Sequence, residues 1–117
     1  MLNQTVDKSK IEDGRPLLLN AGGIEIGIFK IKGVYLAIRN RCPHQGGPVC
    51  TGRITGTLAM GPETNWKLKW CKDKEILVCP WHGLEFDIRS GQCIATQSYA
   101  LDKYSVKVIG DKIVVRG

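Results

Sequence analysis

The chain of 117 residues is long enough for one domain with a buried core and too short for two. It has no run of about 18 apolar residues, so it contains no membrane-spanning helix. The polar start MLNQTVDKSKIEDG has no secretory apolar region and the end VVRG has no lipidation box, so a soluble, cytoplasmic protein is expected. The formal charge of +6 invites an anionic partner. Yet Lys8, Lys10, Lys30, Lys32, Lys67, Lys69, Lys72, Lys74 and Arg116 are scattered, and no nucleic-acid motif accompanies them. The charge reads as a solvated surface that steers an acidic protein face, with no nucleic acid and no membrane as partner.

In chain order, a strand near Leu17 comes first. Gly23-Ile-Glu-Ile-Gly-Ile-Phe then alternates apolar and polar residues, and Gly33-Val-Tyr-Leu-Ala-Ile-Arg follows a Lys32-Gly33 turn, which predicts a β-hairpin. Glu75-Ile-Leu-Val is a short apolar strand, and Leu84-Glu-Phe-Asp-Ile another. Tyr104-Ser-Val-Lys-Val-Ile and Lys112-Ile-Val-Val-Arg flank a Gly110-Asp111 turn. No segment has convincing helical periodicity, and an all-β fold is expected.

Two runs carry the chemistry. One is Cys42-Pro43-His44-Gln45-Gly46-Gly47, the other Cys79-Pro80-Trp81-His82-Gly83. Each offers one thiolate and one imidazole, as C-x-H and C-x-x-H. Two Cys and two His can hold a Zn²⁺ ion or a [2Fe–2S] cluster in which two His replace two Cys on one iron. The prolines are read as stiffeners of the loops, and Gly46, Gly47 and Gly83 as sites of unusual dihedrals or close N–H···S approach.

Taken together, CPHQGGP followed by CPWHGLEFD resembles the Rieske [2Fe–2S] domain, and most closely its soluble ferredoxins that serve oxygenases. The resemblance runs from about Leu17 to the closing YSVKV and GDKIVV. It implies a Rieske fold: an antiparallel β-sandwich base and a smaller cluster-binding subdomain of two ligand loops. The whole of 1–117 is then one domain, with the subdomain at 40–89. It implies that Cys42 and Cys79 hold one iron of a single cluster and His44 and His82 the other. The His-bound iron would accept the electron at the surface. Gln45, Gly46, Gly47, Trp81, Gly83, Leu84 and Phe86 would surround the cluster.

Departures from the family carry information. Respiratory Rieske proteins link their ligand loops by a disulfide whose positions correspond here to Gly47 and Trp81, so that bridge is absent. High-potential members place Ser and Tyr hydroxyls where this chain has Leu84 and Phe86. Hydrogen bonds to the sulfurs stabilise the reduced cluster, so their loss predicts a potential toward the low end of about −150 to +300 mV. The loop Ile94-Ala-Thr-Gln-Ser-Tyr-Ala lacks the proline that ferredoxins often hold over the cluster.

The 34 residues from Gln45 to Val78 exceed what the ferredoxins need, and roughly 57–74 reads as an insertion. Its Trp66-Lys67-Leu68-Lys69-Trp70 run has strand alternation, so an extra hairpin covering the sheet is expected, with a Trp-anchored docking flap as the other reading. Of five cysteines, Cys50, Cys71 and Cys93 remain outside the ligand set. They read as free thiols packed as small hydrophobes, with a Cys50–Cys71 disulfide the lesser possibility. Asp87 and Arg89 read as a surface pair.

Both histidines are used by the cluster, which leaves none for the 2-His-1-carboxylate iron site of a complete oxygenase subunit or for a general base. The expectation is a carrier without catalysis of its own. It would move one electron from an NAD(P)H-dependent flavoprotein reductase to a terminal oxygenase. The other readings are a small Rieske subunit of a nitrite-reductase-like enzyme and a zinc-stabilised structural module.

Overall fold

The computed structural model describes residues 3–43, 46–59, 67, 69–80, 83–96 and 98–117, with the side chains of 57–59, 69 and 71–73 also outside the description. Nine strands are present among them: β1 Asn3–Asp7, β2 Leu17–Ala21, β3 Ile24–Ile31, β4 Val34–Arg39, β5 Arg53–Ala59, β6 Lys69–Val78, β7 Glu85–Asp87, β8 Lys103–Ile109 and β9 Lys112–Arg116. Two single 3₁₀ turns, Lys8–Lys10 and Val49–Thr51, interrupt them. The expected all-β fold is the one observed.

A six-stranded antiparallel sheet in the order β1-β9-β8-β4-β3-β2 forms the base. The β3–β4 hairpin pairs Ile31 with Val34 across a two-residue turn at Lys32 (φ 48°) and Gly33 (φ 82°). Positive φ at both turn residues matches the right-handed twist of the flanking strands. The β4–β8 seam is brief, with Ala37 opposite Tyr104 and Ile38 opposite Lys103. The sheet therefore has two halves that fold over each other: Val6, Ile113 and Val115 from one pack with Ala21, Ile26, Ile28 and Ala37 from the other. This is the sandwich.

Strand β3 is buried on both faces. Ile26 and Ile28 fill the sandwich, while Phe29 and Ile31 point the other way into a second core. That second core is roofed by a smaller antiparallel sheet, β5-β6-β7, and holds Ile38, Val49, Leu77, Phe86 and Ile88 together with four cysteines. An amphipathic reading of β3 as a one-sided strand misses this, because a central strand can be apolar on both sides.

Three expectations change. Asn3–Asp7, read as a polar terminus, is a strand in register with β9, from Asn3 opposite Arg116 to Asp7 opposite Lys112. Glu75–Val78 is not a separate short strand but the end of the ten-residue β6. The expected extra hairpin at 57–74 is instead a continuation of β5 and β6, with Thr57 opposite Cys71 and Ala59 opposite Lys69. The register jumps between Thr55 and Thr57, and the excess residues of β6 bulge out around Lys74 (φ 62°). Trp70 on this arm is half exposed, whereas Trp66 and Leu68 lie outside the described residues.

Candidate metal centre

The first loop leaves β4 at Asn40, whose side chain ties three segments together. Its amide Nδ2 donates to Glu25 Oε1 at 2.9 Å, and its Oδ1 accepts from the Cys50 N–H at 2.8 Å, while its backbone N–H bonds the Glu25 carbonyl at 2.8 Å. One residue thus fixes both the start and the end of the loop to β3. Inside it, Cys42 is the hub. Its N–H donates to the Gly47 carbonyl and its own carbonyl accepts from the Gly46 N–H, both at 2.7 Å. Gly46 has φ 76°, a region that L side chains rarely adopt. The positive φ lies at Gly46; Gly47 contributes its carbonyl instead.

The second loop is a hairpin between β6 and β7. Val78 pairs with Glu85, and the Cys79 N–H donates to the Leu84 carbonyl at 2.8 Å, with Gly83 at φ 68° just before the chain returns. Leu84 is partly buried against the second core, and Phe86 is fully buried in it, opposite Leu77.

What brings the loops together is a backbone contact. A methyl group added at Gly52, just after the first loop, would lie 1.7 Å from the Val78 carbonyl oxygen, beside Cys79. No side chain fits there. Cys42 (2% exposed) and Cys79 (0%) consequently share one apolar cluster. A third loop is held against the same cluster through Tyr99. The Gln92 amide donates to the Thr96 and Tyr99 carbonyls at 3.2 and 3.0 Å, and the Cys93 N–H also reaches Tyr99 O.

Burial alone does not make a thiol a ligand, since free cysteine packs well as a small hydrophobe. Cys50 is that kind. It is free, 0% exposed, and its pKa is pushed up from 9.0 to about 12 by burial, with the Glu25 carboxylate adding to the rise. Being free, it forms no disulfide with Cys71. Cys93 is also free and buried, as expected, while the Cys71 side chain lies outside the described residues. Cys42 and Cys79 differ in that each heads a tight loop closed by its own backbone hydrogen bonds.

The donor chemistry of two soft thiols with two imidazoles close in sequence suits a [2Fe–2S] group bound by two Cys and two His. His44, Gln45, Trp81 and His82 lie outside the described residues, and among the described residues no three metal-binding side chains come together. Asn40, Gly52 and Gln92 escaped the sequence reading. The expected Asp87–Arg89 pair takes another form. Arg89 Nε pairs with Glu75 at 2.9 Å, and Asp87 Oδ1 accepts the Arg89 backbone N–H at 3.0 Å. A two-residue spacing lets the carboxylate cap its own turn, which leaves the guanidinium for a neighbour.

Comparison with known proteins bears on the family and the fold. The model of the Rieske [2Fe–2S] domain matches residues 3–105. Apoptosis-inducing factor 3 of Homo sapiens is 27% identical over 107 residues, 91% of this chain but 15% of that protein; the chain therefore spans about a seventh of that relative's length. The ferredoxin component of the alkene monooxygenase system of Xanthobacter autotrophicus is 23% identical over 103 residues, 88% of this chain and 70% of that protein. Among solved structures, the ferredoxin of carbazole 1,9a-dioxygenase from Nocardioides aromaticivorans superposes with a TM-score of 0.69 at 21% identity, over 96% of this chain and 93% of that one. A protein assigned as the small subunit of an NADH-dependent nitrite reductase from Mycobacterium tuberculosis gives 0.70 at 16% identity, over 97% and 93%. With a family model matched over residues 3–105, the chain belongs to the Rieske [2Fe–2S] domain family.

Proposed function

We propose that the protein is a one-electron carrier, in which Cys42 and Cys79 hold one iron of the [2Fe–2S] cluster and His44 and His82 the other. When bound, such a group supplies a site that takes up and releases one electron, at a potential above that of all-Cys clusters. The observation that carries the reading is the convergence of Cys42 and Cys79 in one apolar cluster, behind loops locked by the Gly52–Val78 contact. Residues 1–117 then act as one domain, with 40–89 as the cluster-binding part. The electron would come from an NAD(P)H-dependent flavoprotein reductase and pass to a terminal oxygenase; relatives named as ferredoxins of oxygenase systems support the second half of that route. The chain itself would catalyse nothing.

Within this reading, Leu84 and Phe86 offer no hydroxyl to the cluster sulfurs, which favours the low end of the Rieske range. Leu84→Ser should raise the potential. Reading the redox titration by EPR tests it, and a wild-type value well above about +100 mV contradicts the loop assignment. The small subunit of a nitrite-reductase-like enzyme is the second reading, favoured by the nitrite-reductase neighbour. Co-purification from the native cell separates the two, since a subunit stays with a large enzyme and a carrier leaves it. A zinc-stabilised module is separated more simply, by colour and metal content.

A further inference from the structure

The acidic side chains of this protein are unevenly used. Glu75 binds Lys32 at 3.3 Å and Arg89 at 2.9 Å, Glu12 binds Arg15 at 3.3 Å, and Asp7 binds Lys112. None of these pairs involves the ligand loops' own arginines. Arg41, exposed and adjacent to Cys42, lies against the first loop: a methyl group at Gly46 would sit 3.5 Å from its Nε. Arg53, also exposed, is opposite Val78 in register and so stands at the root of the second loop, one residue from Cys79. Neither guanidinium has a carboxylate partner among the described residues. The nearby Glu25 is engaged by the Asn40 amide.

Resting on the carrier reading, we infer that Arg41 and Arg53 form a cationic rim around the two ligand loops, which docks an acidic patch of the redox partner protein. Guanidinium suits this task because it stays charged and matches a carboxylate with two parallel N–H donors. Charges at a contact face raise encounter rates in a salt-dependent way without adding buried area. Both arginines also stand where a positive charge favours the reduced state, since an electron added near them is attracted to them.

Small redox ions test the rim without the partner. Dithionite-reduced protein is oxidised either by hexacyanoferrate(III), an anion, or by tris(phenanthroline)cobalt(III), a cation. In each case one electron leaves the protein, the oxidant metal goes from +3 to +2, and no atom is transferred. The ratio of the two rates cancels changes in driving force and reports the local charge. Arg41→Ala/Arg53→Ala should lower the anion-to-cation ratio several-fold at low ionic strength, and the difference should vanish near 1 M salt, where screening acts over about 3 Å. The remote Lys10→Ala/Lys107→Ala variant removes the same two charges and should leave the ratio near wild type; Arg41→Lys/Arg53→Lys should retain it. The arginine variant should also titrate at a lower potential than the lysine variant. Equal ratios in the two alanine variants overturn the docking rim while leaving the carrier reading intact. A wild-type protein that takes up no electron from dithionite overturns the carrier reading and the rim with it.

Discussion

The base and the loops proposed to bind the cluster are built on different principles. The base is held by side chains: β3 buries Ile26 and Ile28 in the sandwich, and Ile113 and Val115 answer them from β9. The loops proposed to bind the cluster sit on the second core and are themselves closed by backbone contacts. Cys42 bonds Gly46 and Gly47, Cys79 bonds Leu84, and Gly52 meets Val78 with no room for a single carbon. Apolar packing tolerates exchange of similar volumes, because it depends on filling space. Backbone contact does not, because nothing smaller than glycine exists. Stability and cofactor geometry are thereby assigned to separate parts of one small chain, and variants should separate them.

The largest effect is expected at the proposed ligands. Cys42→Ser and Cys79→Ser should each abolish the visible absorbance while leaving the strand signal of the base in circular dichroism. A variant that stays fully coloured removes that cysteine from the ligand set. Next comes Gly52→Ala, which must displace Val78 and so the root of the second loop. Its expected outcome is a protein that loads less cluster, or loads it with a changed EPR line shape, over a base still folded. A wild-type spectrum at full loading breaks the contrast drawn here.

Ile113→Ala probes the other half. Truncating a fully buried aliphatic side chain costs about 2–5 kcal/mol, visible as a lower midpoint in urea. The cluster spectrum of the remaining folded protein should be unchanged. A smaller effect concerns Cys50. Its folded pKa of about 12 lies above the 9.0 of an exposed thiol, so the unfolded chain releases this proton first as pH rises. The stability involved is complete below pH 9 and declines as pH climbs from 9 toward 12. Cys50→Ala should flatten that part of the stability curve, measured against wild type in urea titrations across the range. A slope unaffected by the substitution means that burial of Cys50 is not its source.

Much of this was legible in the sequence. Alternation exposed the β3–β4 hairpin, the Lys32-Gly33 turn and the last two strands, because period-two patterning and turn chemistry are local. The paired Cys and His motifs, from which the proposed ligands are read, are local for the same reason. β1 was hidden because Asn3–Asp7 offers a single buried residue, Val6, and pairs with β9 more than a hundred residues away. The run of β6 was broken in reading by the polar stretch Lys72-Asp73-Lys74, which the structure accommodates as a bulge. Asn40, Gly52 and the arginine rim could not be read at all, since each matters through a contact between segments that the chain order keeps apart.

Pulsed EPR of the reduced protein tests the central claim most directly. Two distinct imidazole nitrogens should couple to the cluster spin, and His44→Ala or His82→Ala should remove one coupling or the cluster itself. A reduced protein with no nitrogen coupling, or a colourless one that holds a single zinc ion, contradicts the account.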